Sequence, residues 1–203
     1  MKILVACEES QRVTEQFRLH GHEAYSCDVV PPSGNHPEWH IQHDVLPILN
    51  GNCVFSTLDG EKHAVIGKWD MIIAFPPCTH LTITGARFFE AKRASGVQAE
   101  AIEFFGKIYT ADCDKIVIEN PKGIINGNYI KQWFPELCEK YGFPAPPTQI
   151  IQPWMFGDEV QKTTCLWVKG VRPLVPEITE APVIENFTYI DKKTGKQKAI
   201  NKW

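Results

Sequence analysis

Two short apolar runs, each ending in proline, most constrain what this chain can fold into. Met71 to Phe75 is unbroken apolar sequence, the length and composition of a strand buried on both faces. Pro76-Pro77 ends it, because neither proline can donate to a sheet ladder. Cys78 follows at once, a thiol on a stiff turn. Lys115 to Ile118 repeats the design and runs into Glu119-Asn120-Pro121. Strands buried on both faces belong to parallel sheets, whose ligands gather at the carboxyl ends of the strands. If these two strands are neighbours, Cys78 and Glu119 face one pocket.

The rest of the chain supplies the alternation such a sheet needs. Lys2 to Cys7 reads as a strand, Gln11 to His20 as a helix capped by Ser10 with Val13, Phe17 and Leu19 as its apolar stripe, and His22 to Cys27 as a second strand. This is a β-α-β unit. Pro31 to His43 reads as a loop, and residues 50–68 as a decoration between the third strand and the central one. Leu81 to Arg87 is expected to be loop and Phe88 to Arg93 the start of a helix. Val97 to Ala111 is an amphipathic helix, with Ala101, Ile102, Phe104, Phe105, Ile108 and Tyr109 as its apolar positions. Tyr129 to Tyr141 is a helix interrupted or kinked near Pro135. Thr148 to Gln152 and Thr164 to Lys169 form an antiparallel edge pair. Phe88, Phe89 and Trp154 are expected in the core, with base stacking as the alternative. The expected fold is thus α/β, a mostly parallel Rossmann-like sheet with an antiparallel C-terminal edge. Residues 1–175 form the main domain and 176–203 an extension, in which Asp191 to Lys198 reads as a solvated basic turn.

The net charge of −3 makes no general electrostatic case for nucleic acid. The seven cysteines are widely spaced with no CxxC pair, so reduced thiols and a cytoplasmic location are expected. No run approaches the roughly 20 apolar residues that span a bilayer. His36 and His40 are four apart, but Pro37 lies between them and no helical pattern supports a metal site.

Asp28 stands at the end of the second strand, where an acid accepts ribose hydroxyls in nucleoside-cofactor folds. Asp44, in the His43 to Val45 stretch, offers a carboxylate to an adenine amino group. A thiol at one strand end and a carboxylic acid at the next suit one task. The thiolate adds to an electron-poor ring carbon, and the acid holds or protonates a ring nitrogen. Cytosine presents both, C6 for the thiol and N3 for the acid.

Phe75 to His80 (FPPCTH) and Ile118 to Pro121 (IENP) resemble the PPCQ and ENV motifs of the C5-cytosine DNA methyltransferases, in the family's order and about 40 residues apart. The stretches VACEES, CDV, IAFPPCTHL, GARFF, IENP, IIQPWMFG and KTTCLWVKG extend the likeness to the short phage and prophage cytosine methyltransferase-like proteins. The resemblance implies a methyltransferase-type sheet and S-adenosylmethionine as cofactor. It makes Cys78 the nucleophile, Glu119 the acid at N3, and Asn120 a brace for the Cys78 loop. Cofactor contacts fall at Ala6, Cys7, Glu8, Glu9, Asp28, Asp44, Phe75 and Pro76. Substrate contacts fall at Pro77, Thr79, Lys162 and Thr164.

The chain departs from the family in three places. The first loop lacks the FxGxG glycines. Gln161 to Cys165 (QKTTC) stands where the family has QxRxR, with neither arginine. About 35 residues follow Trp167, too few for a target-recognition domain that reads sequence and holds a flipped base. Expected partners are therefore DNA or a cytosine nucleotide, with a partner protein supplying target recognition as a further expectation. The alternative class is a catalytically inactive methyltransferase fold that binds nucleic acid or a host protein, and a third is another transformation at C5 through the same adduct.

Overall fold

The computed structural model describes residues 1–181, 186–190 and 197–201. Its strands are β1 (Lys2–Ala6), β2 (Glu23–Asp28), β3 (His40–Gln42), β4 (Cys53–Ser56), β5 (Lys62–Val65), β6 (Met71–Ala74), β7 (Ile116–Pro121), β8 (Gln149–Ile151), β9 (Thr164–Lys169), β10 (Asn186–Ile190) and β11 (Gln197–Asn201). Its α-helices are α1 (Arg12–Leu19), α2 (Phe89–Ala94), α3 (Val97–Tyr109), α4 (Asn128–Trp133) and α5 (Pro135–Tyr141). The main sheet has seven strands in the order β3-β2-β1-β6-β7-β9-β8. All are parallel except β9, which runs antiparallel to both β7 and β8. This is the expected α/β sheet, mostly parallel with an antiparallel C-terminal edge. The strand order reverses between β1 and β6, so the crevice of a doubly wound sheet opens there.

Strand alternation divides the core between two faces. Ile3, Val5, Ala24 and Ile73 face α1, against Val13 and Phe17. Leu4, Ile72 and Ile118 face the other way, towards Ile102, Phe105 and Ile108 of α3. Leu19 does not join the α1 stripe; it is 71% exposed. It lies two residues past Phe17, about 200° around the helix. Ser10 is not the cap either. Gln11 holds that position at φ 60°, and the side chain that satisfies the first turn is Glu8.

β3 forms inside the stretch expected to be loop, because Ser26, Cys27 and Asp28 offer it a paired edge at His40, Ile41 and Gln42. The decoration at 50–68 is the antiparallel hairpin β4–β5. Leu81 to Arg87 is not plain loop: 3-10 turns run over Ile83–Phe88 and lead into α2. The helix near Pro135 is interrupted, not kinked, one of the two outcomes expected. α4 ends at Trp133, Phe134 takes φ −138° and ψ 54°, and Pro135 opens α5. Proline disfavours the helical region for the residue before it but suits the first position of a new helix.

Past β9 the chain stays attached to the body. Leu174 N–H donates to Gln149 Oε1, and the Glu177 and Ile178 amides donate to the Met155 carbonyl. Leu174 thus bonds to the edge strand β8, and Glu177 and Ile178 to the 3-10 turn at Pro153–Phe156. β10 pairs antiparallel with β11. Of the basic run at 191–198, residues 191–196 lie outside the described residues.

Candidate active site

β6 delivers the thiol as expected. The Phe75 amide makes a last ladder bond to the Ala6 carbonyl at 3.0 Å. Pro76 and Pro77 have no amide hydrogen to continue the ladder, so the chain leaves the sheet. The loop that follows is held through its carbonyls. Pro76 accepts from Asn120 Nδ2 at 2.7 Å, and His80 from Gln98 Nε2 at 3.0 Å. Thr79 accepts from Lys92 Nζ, and Cys78 from the amides of Leu81 and Thr82, both at 2.9 Å. Beyond the turn, the Ile124 amide donates to the Leu81 carbonyl. A Cβ on Gly123 would meet that same carbonyl at 2.5 Å, so glycine lets the segment after β7 lie against the loop.

Two cavities open at the Cys78 loop, and Glu119 is among the lining residues of neither. One, of about 230 Å³, is lined by Cys7, Asp28, Val29, Asp44, Pro77 and Phe104, among others. It lies at the carboxyl ends of β1, β2 and β3, on the side of the crevice. The second, of about 520 Å³, is lined by Cys78, Ile83, Lys122, Gln152, Lys162 and Thr163, among others. The Cys78 loop is the wall between them, with Pro77 on one side and Cys78 on the other.

The first cavity is acidic at its rim. One Asp28 oxygen accepts the Val30 amide at 3.2 Å and one Asp44 oxygen accepts the Leu46 amide at 3.0 Å, leaving lone pairs on each carboxylate. Cys7, at φ 58°, lines the same cavity from the end of β1. Burial, with Asp28 and Asp44 adding to it, pushes its thiol up to about 12. Cys7 is therefore protonated at neutral pH and acts as a small apolar wall.

Glu119 sits on β7, next to β6 and in register with Leu166 of β9. Burial pushes its carboxyl above the usual carboxylate range, and Lys162 only partly offsets this. Such a group keeps its proton to higher pH, which suits donation to a ring nitrogen.

The other expected contacts divide. Ala6 is fully buried, and its carbonyl is used by Phe75. Glu8 is buried, with both carboxylate oxygens committed to the Val13 and Thr14 amides and the Thr14 hydroxyl. Glu9 holds the Ser33 amide. Within Ala6 to Glu9, only Cys7 lines the first cavity. Pro76 is buried and Phe75 packs on the α1 side of the sheet. Pro77 lines the Asp28–Asp44 cavity, not the one containing Cys78. Lys162 does line the second cavity, whereas Thr164 is buried and turns its hydroxyl to the Lys162 carbonyl.

Some contributors were not anticipated. Gln98 is fully buried on α3. Its position, one turn before Ile102 on the apolar stripe, is the signal that could have revealed it: a polar residue on a buried face needs partners. Lys122 and Thr163 reach the second cavity only through tertiary folding. His40 is enclosed with both ring nitrogens engaged, Nδ1 with Ser26 Oγ and Nε2 with the Val30 carbonyl. Among the described residues, no three His, Cys, Asp or Glu side chains gather as metal ligands, and no helix is long and apolar enough to cross a membrane. No family model matches this sequence, and no curated protein matches it.

Proposed function

We propose that this protein methylates cytosine at C5, using S-adenosylmethionine and a covalent adduct on Cys78. The observation that carries the reading is that Pro77 and Cys78, adjacent in one loop, line two different cavities, one bearing Asp28 and Asp44 and the other the thiol. The sheet supports it too: parallel through β7 with an antiparallel C-terminal edge, as the resemblance to the C5-cytosine methyltransferases calls for.

The first cavity fits the cofactor's nucleoside. Asp28 supplies acceptors for ribose hydroxyls and Asp44 for the adenine amino group, with Val29, Pro77 and Phe104 as apolar walls. When bound there, S-adenosylmethionine supplies an electrophilic methyl group. Everything else falls to the chain's own residues. Cys78 Sγ, as thiolate, adds to C6 of cytosine. Glu119 delivers its proton to N3, so the electron pair displaced from the C5–C6 bond enriches C5. After C5 is methylated, loss of the C5 proton to solvent and departure of Sγ from C6 restore the ring, and the N3 proton returns to Glu119. Asn120 holds the loop so that Sγ meets the ring face.

Two measurements test this. Calorimetry with S-adenosylmethionine is expected to show binding, which Asp28→Ala weakens. Cys78→Ser is expected to abolish both methyl transfer and trapping by a 5-fluorocytosine substrate. Wild-type trapping in that variant would remove Cys78 from the mechanism. Absence of cofactor binding at millimolar concentration would leave the non-catalytic binding protein as the reading.

A further inference from the structure

The structure separates two adjacent phenylalanines. Phe89 is buried at 8% exposure, while Phe88 is 50% exposed. A second large aromatic, Trp133 at the end of α4, is 46% exposed. Each carries a guanidinium on its ring. Arg87 lies 4.6 Å from the Phe88 centroid and Arg93 lies 3.9 Å from that of Trp133.

Contacts and chain order link several of these residues to the Cys78 pocket. Ile83, 47% exposed, lines that pocket and begins the 3-10 turns that end at Phe88. α2 follows directly. Its Lys92 reaches back to the Thr79 carbonyl beside Cys78, and its Arg93 reaches forward to Trp133. Among the described residues, Arg87, Lys92, Arg93, Lys122 and Lys131 form no ion pair. The chain as a whole is at −3; of these cations Lys122 lines the Cys78 pocket and Lys92 reaches its loop, with the acid Glu90 also on α2.

We infer that the strip from Ile83 across Phe88 to Trp133 is a stacking platform for a single-stranded polynucleotide. Exposed aromatic rings bind the faces of unpaired bases, and flanking cations that lack carboxylate partners bind the phosphates between them. A duplex offers neither ring an open base face. The inference rests on the cytosine-methylation reading for what happens at Cys78, and it narrows the substrate to a strand whose bases are already unstacked.

The test measures binding by fluorescence anisotropy, using a labelled oligodeoxycytidine strand, the matching oligoribocytidine strand and a duplex of the same length. One or both single strands are expected to bind about tenfold more tightly than the duplex, the tighter of the two identifying the sugar. Phe88→Ala and Trp133→Ala should each weaken that binding by about fivefold or more, and Trp133→Tyr should largely retain it. Both positions are about half exposed, and Phe88→Ala reads the same surface if Trp133→Ala fails to fold. Duplex binding equal to strand binding, no binding at all, or wild-type affinity in folded alanine variants would overturn the platform. Methyl transfer to a free cytosine nucleotide without strand binding would reject the platform and keep the methylation reading. Strand binding with the expected variant pattern but no methyl transfer to any substrate would do the reverse.

Discussion

Asn120 Nδ2 donates a buried hydrogen bond to the Pro76 carbonyl at 2.7 Å, tying β7 to the first residue past the β6 ladder. Gln98 does the same from α3 at the His80 carbonyl, so two amides hold the loop on either side of Cys78. Asn120→Ala and Gln98→Leu each leave a buried carbonyl without its donor, at a cost of about 1–3 kcal/mol. At this chain length that lowers the Tm by about 2–4 °C per kcal/mol. On the proposed function, methyl transfer should fall further than S-adenosylmethionine affinity, because the cavity proposed for the cofactor keeps its Asp28 and Asp44. Equal losses in the two would argue against a positioning role.

Glu8 is expected to matter for folding rather than for chemistry. Its carboxylate accepts from the Val13 amide at 2.6 Å and the Thr14 amide at 3.2 Å, satisfying the start of α1. Glu8→Ala should destabilise the protein by about 1–2 kcal/mol in chemical denaturation, as losing a helix cap does. Cofactor affinity, measured where the variant is fully folded, should stay near the wild-type value.

Glu119 gives stability a pH dependence of known sign. Burial raises its folded-state pKa above the unfolded one, so the folded chain holds the proton more tightly. This group's contribution to stability is fully present below the ordinary carboxylate pKa and is lost as pH rises through the raised value. Glu119→Gln should remove that loss while abolishing methyl transfer. Melting curves across the acid-to-neutral range check the first point. A steeper fall in the variant than in wild type would contradict it.

The two site thiols should differ in reactivity. With its pKa near 12, Cys7 is thiolate at about one part in ten thousand at pH 8. Cys78 lines an open cavity. Limited iodoacetamide treatment followed by peptide mass spectrometry should find Cys78 labelled ahead of Cys7. Asp28→Asn, by removing one of the two carboxylates that raise the Cys7 pKa, should speed labelling there.

Several of these residues could be read in advance, and the reasons are local. The apolar run stopped by proline does end β6 just before the Cys78 loop, whereas β7 runs on through Glu119 to Pro121, because β9 pairs with it along that length. The stripe of α3 follows from 3.6-residue periodicity, and the break at Phe134 from the residue after it. The bonds of Glu8 to the start of α1 were not legible, because an acid in a strand-end loop looks the same whether it faces a ligand or a helix terminus. Phe88 and Phe89 form an identical pair in sequence, and only the 3-10 turn before α2 sends one inward and one out.

The β-α-β alternation, the end of β6 and the types of group near the strand ends follow from local sequence, because hydrophobic period and proline breaks act within a few residues. The tertiary structure decided what those groups face. Long-range pairing put β3 beside β2, brought Asp44 to Asp28, and set Lys162 near Glu119 across the antiparallel β7–β9 register. It also put Pro77 and Cys78, adjacent in the chain, on two different cavities. These outcomes depend on contacts between segments tens of residues apart, whose energies no local pattern encodes.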